Sequence, residues 1–203
     1  MQIIDNHTGT LLARVQLVLG TLAIAGLCAV GLAFGAGRLQ PDIHIPYGIT
    51  DTQLTADGVH GVLVRARREN FNAHGFDVLS IYARTKSNAE PDAAFLIVPV
   101  WEGETERLEL TSGGGADCKL SGFRVIGVGA GRDVQIVAAK REFGTSYADV
   151  ADVTFTYFTL KRNSDGEAGR PPYYFESTAS VKAKKQYCDV DDAFTQELGF
   201  RSK

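Results

Sequence analysis

Hydrophobic positions follow two regimes along the chain. From Leu17 to Gly37 there is no charged residue, and the run LVLGTLAIAGLCAVGLAFGAG is apolar or small throughout. About twenty such residues, helical at ~1.5 Å each, match a hydrocarbon core ~30 Å thick. Beyond residue 58 the pattern becomes short apolar runs with two-residue alternation, punctuated by turn residues, which is the rhythm of an all-β domain. It predicts strands over 59–67, 76–84, 95–101, 107–110, 123–128, 134–143 and 153–161, and a last one near 173–181. In VTFTYFTLK, Val153, Phe155, Tyr157 and Thr159 share one face, and Thr154, Thr156, Phe158 and Leu160 share the other. Both faces carry bulk, so this strand is expected to be central and covered on two sides.

Turn chemistry separates these runs. Asn163-Ser164-Asp165-Gly166 suits a chain reversal. Gly113-Gly114-Gly115 reads as a loop, because three glycines lose much backbone entropy inside a strand. Pro171-Pro172 is a rigid extended step. One helix is predicted, at the end of the chain. Asp189 stands near its N-cap, and Asp191 and Asp192 sit at the positive end of the dipole. Ala193, Phe194 and Leu198 turn inward, and Gly199 stops it. The expected fold is therefore all-β: a single β-sandwich-like antiparallel domain with a short C-terminal helix, preceded by one N-terminal transmembrane or signal helix. The division follows as 1–37 anchor, 38–58 linker (Pro41, Pro46 and Gly48, without periodicity) and 59–203 β-rich domain.

The apolar run exceeds the usual length of a signal-peptide core, which favours an uncleaved anchor. Its small-residue end, Ala33-Phe34-Gly35, also fits a cleavage site. A lipoprotein site at Cys28 is disfavoured by Leu27 before it. Arg14 and Arg38 flank the run almost symmetrically, so orientation is argued from the rest of the chain, which reads as periplasmic. Gly31 and Gly35 have the small-xxx-small spacing that lets two helices approach and form a homodimer; a helix this rich in glycine also shows it by chance.

Net charge changes the picture little. The chain carries −3, and Asp5 and Arg14 cancel before Gly37. Mild acidity of this kind argues against nucleic acid as a partner. The cysteines add more. Cys28 lies in the apolar run, which leaves Cys118 and Cys188. In an oxidising compartment an even pair reads as one disulfide, the alternative being two separate buried thiols. Such a bridge would tie the glycine-rich segment to the start of the terminal helix.

No familiar catalytic set is visible. No lysine has a serine three residues before it, and Gly144-Thr145-Ser146-Tyr147-Ala148 lacks the second glycine of a nucleophile elbow. His7, His44, His60 and His74 never share a zinc-ligand spacing, though His60 and His74 are close enough in sequence to meet across a hairpin. Asn163, Asp165 and Glu167 begin like a calcium loop, but Tyr174 stands where the closing glutamate belongs. Catalytic residues, metal ligands and cofactors are accordingly expected to be none. The aromatic residues, Trp101, Tyr147, Tyr173 and Tyr174 among them, fill a core or line a pocket. Consecutive tyrosines cannot both face one side of a strand, so one of Tyr173 and Tyr174 is expected to point outward.

Three short segments carry a family resemblance: Gly113-Gly114-Gly115-Ala116-Asp117-Cys118, Arg141-Glu142-Phe143-Gly144 and Tyr187-Cys188-Asp189-Val190, followed by a terminal helix. Together they resemble the periplasmic carbapenem intrinsic-resistance proteins of the CarG type, over about residues 76–200. The resemblance implies a secreted β-rich protein that protects a cell from a β-lactam without hydrolysing it. The candidate ligand contacts are Trp101, Asp117, Arg141, Glu142, Tyr147, Tyr173 and Tyr174, with Cys118 and Cys188 as the bridge. The expected partners are the inner membrane through Leu17 to Gly37 and a small-molecule ligand or periplasmic protein. The rival expectations are an accessory or assembly subunit of an inner-membrane complex, and a hydrolase whose residues meet only on folding.

Overall fold

The computed structural model describes residues 42–84, 95–128 and 131–201. The Leu17 to Gly37 run, with Cys28, Gly31 and Gly35, lies outside the described residues. Among those described, no helix is long and apolar enough to cross a membrane.

Strands dominate, as the alternation predicts. In chain order they are β1 (Gly48–Gln53), β2 (His60–Arg68), β3 (Phe76–Arg84), β4 (Phe95–Ile97), β5 (Val100–Glu102), β6 (Thr105–Arg107), β7 (Leu110–Gly114), β8 (Lys119–Ile126), β9 (Gln135–Arg141), β10 (Val153–Arg162) and β11 (Tyr173–Lys182). Helix α1 (Val190–Leu198) ends the fold. The strands run in one large sheet in the order β1-β2-β3-β7-β8-β9-β10-β11-β5-β6, with β4 also on β3. All pairs are antiparallel except β5 on β11.

The position of β4 and β5 gives the sheet its shape. Ile97 pairs with Tyr82 on β3, and the Val98 amide donates to Ile81 O at 2.8 Å. One residue later Pro99 accepts from the Phe175 amide at 2.8 Å, and Val100 pairs with Phe175 on β11. The chain thus leaves one strand and joins another at a proline, which has no N–H to keep it in a ladder. Through this step the sheet returns to β3 and closes on itself, leaving β1 and β6 paired on one side only among the described residues. The single strand expected over 95–101 is therefore two short ones. The strand expected over 107–110 is likewise a junction, between the end of β6 and the start of β7.

Leu63, Leu79, Ile81, Val98, Val125, Ile136, Phe158, Leu160 and Phe175 belong to one buried cluster. A second cluster lies on the opposite face of β9 and β10, where Val137, Ala139, Val153 and Phe155 pack under Val190, Ala193 and Phe194 of α1. Strand β10 thus feeds both clusters, as its two bulky faces predict. The caps of α1 also follow the sequence. Asp189 accepts from the Asp191 amide at 2.7 Å, and Gly199 closes the helix at φ 70°, in the left-handed region that glycine enters without penalty.

Two further expectations need correction. Residues 42–58 are not a linker: they hold β1, paired along its length with β2, and Ile45 and Leu54 are 1% and 0% exposed. Two isolated anchors on either side of an outer strand leave no periodic trace. Gly113 and Gly114 belong to β7 rather than to a loop. A Cβ on Gly114 would stand 2.7 Å from Lys119 Cα, so glycine is what lets β7 and β8 approach at the irregular register between them.

Candidate functional site

Three connections meet at one end of the sheet: the β2–β3 turn (69–75), the β7–β8 turn (115–118) and the 142–152 segment after β9. The Cys118–Cys188 disulfide, with Cα atoms 5.5 Å apart, joins the second of these to the entrance of α1. Cys188 Sγ lies 3.2 Å from Ala148 O, which brings the third segment against the same bridge.

Each segment is held by side chains that satisfy its own backbone. Arg141, 2% exposed, donates to the carbonyls of Phe143, Ser146 and Asp149. Asp149 accepts from the Thr145 hydroxyl and from the amides of Thr145 (2.9 Å) and Ser146 (2.8 Å). Those bonds, led by the Thr145 hydroxyl, hold its carboxyl below the ordinary aspartate range. In the 69–75 turn, Glu69 accepts from the amides of Asn70 and Phe71, and Asn70 donates to His74 O. This network keeps Phe71 at φ 56° with its ring 97% exposed. A bulky side chain in the left-handed region persists only where its surroundings impose it.

Aromatic contacts join the segments. Tyr147 stands edge-on to Phe143 with ring centres 4.9 Å apart, and 5.2 Å from the ring of His74, whose Nδ1 is 3.3 Å from Gly114 O. Phe143 is exposed beside it, and Val150 is exposed in the same segment. A shallow depression of about 490 Å³ runs past Tyr147, His74, Phe76 and the Gly113-Gly114 backbone.

On the other side of the same glycines lies a polar pit of about 390 Å³. Asp77 is buried at its base and accepts from Tyr47 Oη at 2.9 Å and from Arg65 at 2.6 Å. Arg67, Asp117, Lys119 and Asp189 complete the rim. Beneath it, Arg124 is 2% exposed in β8, donates to Asp191 at 3.0 Å and stacks on Phe194 at 4.5 Å. Burial pushes the Asp191 carboxyl up, but Lys119 and Arg124 outweigh it and hold the group below its ordinary value.

The predicted contacts divide into two places. Asp117 is on the pit rim, Tyr147 covers the depression, Arg141 clamps the intervening segment, and Glu142 is exposed beside it with its amide bonded to Asp152 O at 2.9 Å. Trp101, Tyr173 and Tyr174 are instead on the β5–β11 side. There Arg170 lies over Trp101 at 4.1 Å and over Tyr174 at 5.0 Å, while Tyr173 packs on the inner core. Tyr174 is thus the outward member of the pair. His60 and His74 do not meet: His60 starts β2 opposite Gln53, and His74 lies in the turn at the strand's other end.

Sequence reasoning missed the polar group of the pit, Tyr47 just before β1, Arg65 on β2 and Asp77 on β3, which share no motif. It also missed a larger cleft of about 950 Å³, lined by Lys140, Thr154, Thr156 and Ser180. Those residues had a signal: Lys140 and Thr156 are in phase with buried Ile136 and Phe158. Among the described residues, no three of His, Cys, Asp and Glu are grouped to hold a metal ion.

No family model and no curated protein matches this chain. Among solved structures it is similar to the crystal structure of CarG, with a TM-score of 0.64, 20% sequence identity, and coverage of 76% of this chain and 94% of that one. The chain has a CarG-like fold.

Proposed function

We propose that this chain is an exported binding module, carried to the periplasm by the Leu17 to Gly37 run and tethered there to the inner membrane, that protects a cell against carbapenem-type β-lactams by binding rather than hydrolysis. One observation carries the reading. The three segments that resemble CarG-type resistance proteins, far apart in sequence, converge around the Cys118–Cys188 bridge on a CarG-like fold. The disulfide supports an oxidising compartment. The polar pit beside it is lined by Arg65, Arg67 and Lys119, each ion-paired to a carboxylate, and by Asp117 and Asp189, a mixed-charge surface for a polar ligand.

The test is the carbapenem susceptibility of a sensitive host expressing the full chain, with the drug followed by mass spectrometry. A raised inhibitory concentration with intact drug is the expected result. Unchanged susceptibility rejects the protective role, and catalytic loss of drug replaces it with hydrolysis.

A second reading, an accessory subunit of an inner-membrane complex, is favoured by the exposed Phe71, Phe143 and Val150. A photoreactive residue at position 71 would then capture a membrane protein in its native host.

A further inference from the structure

The inner face of the sheet changes character along its length. Cross-strand register puts Val125, Ile136 and Phe158 in one row, then Phe123, Ala138, Thr156 and Ser180, then Ser121, Lys140, Thr154 and Lys182. All three rows point to the same side, because each position is two residues from the last. The first row is core, the second is half hydroxyl, and the third is polar and cationic. A sandwich normally keeps its inner face apolar. Here a cleft of about 950 Å³ is lined by residues of 100–111 together with this polar end of β8–β11, within the range of small-molecule sites.

Two charges in this cleft have no counter-ion among the described residues. Arg107 is paired with Glu102 at 2.9 Å, and Lys182 with Asp152 at 3.4 Å. Lys140 and Glu109 both line the cleft, and neither has an ion-pair partner among the described residues. Opposite charges that line one cleft without bridging each other suit a molecule carrying both signs. In the same cleft Leu108, 53% exposed, supplies apolar surface, and Thr154, Thr156 and Ser180 supply hydroxyls that donate to or accept from amide groups.

We infer that this cleft binds a small amide-bearing zwitterion of the short-peptide class. Its carboxylate faces Lys140, its ammonium faces Glu109, its apolar side chain lies on Leu108, and its amide meets the hydroxyl row. The inference is independent of the protective role proposed above.

Titration calorimetry of the full chain in detergent tests it with three probes: L-alanyl-L-phenylalanine, its N-acetyl derivative and its C-terminal amide. The free dipeptide is expected to bind saturably, and each blocked derivative to bind about fivefold more weakly, the upper range for a solvent-accessible ion pair. Lys140→Gln should make dipeptide and amide equal, and Glu109→Gln should make dipeptide and N-acetyl derivative equal. Both residues are exposed, so neither change disturbs the core. Absence of saturable binding at millimolar dipeptide, equal affinity for all three probes, or discrimination that survives both substitutions would each overturn the inference.

Discussion

Gly115 lies directly beneath the ring of Tyr147: a Cβ on this glycine would stand 2.7 Å from Tyr147 Cγ and 2.8 Å from Cδ1. The end of the glycine run is therefore a seat for an aromatic ring, and the seat fixes how Tyr147 meets Phe143 and His74. Gly115→Ala is expected to displace that ring at a cost of about 1–3 kcal/mol from overpacking. Urea denaturation reads the cost, and near-UV dichroism reads the ring. An unchanged aromatic spectrum would mean that Tyr147 is not seated as described.

The disulfide spans a sequence separation of 70 residues. On the chain-entropy account, closing a loop of that length stabilises the fold by about 4 kcal/mol. The Cys118→Ser/Cys188→Ser chain should lose stability on that scale and should be cut more readily by protease within 142–152, since Ala148 rests on the bridge. A loss below about 1 kcal/mol would show that the segments hold together without it.

Acid should weaken the docking of α1. The Asp191 carboxyl is held below its ordinary value of 3.8 in the folded chain, so the unfolded chain binds more protons as pH falls. The stabilisation is complete above that ordinary value and is lost as pH drops through the lower folded one. Asp191→Asn leaves buried Arg124 with only the Asp42 carboxylate, 4.0 Å away, and should cost about 2 kcal/mol at neutral pH. The gap between wild type and variant should narrow as pH falls below 3.8 in denaturant titrations; a constant gap would contradict the assignment.

Phe71 gains nothing for the fold from its position. It is 97% exposed at φ 56°, a conformation that costs a side-chain-bearing residue about 1–2 kcal/mol. Phe71→Gly is expected to raise stability by about 1 kcal/mol, read as a higher denaturation midpoint. If the aromatic tip contacts a partner, the same variant loses capture of that partner. A destabilised variant would show that the ring supports the hairpin.

Local pattern alone carried much of the fold. In β3 the burial of Leu79, Ile81 and Ala83 follows strict alternation, and the two bulky faces of β10 announced its central place. Asp189 and Gly199 bounded the helix for the same reason: a cap satisfies backbone groups within a few residues of itself. The cysteine pair was legible as a bridge or as two thiols, and its neighbours Asp117 and Tyr147 do stand at the loop assembly. Other features depended on segments far apart in sequence. The step at Pro99 from β3 to β11, the strand role of Gly113 and Gly114, and the separation of Trp101 and Tyr174 from Tyr147 follow from sheet closure. So do the meeting of Tyr47, Arg65 and Asp77 and the cleft over Lys140. Periodicity tells which way a side chain points relative to its own strand; which strand lies beside or across from it is settled only when the whole sheet closes around one core.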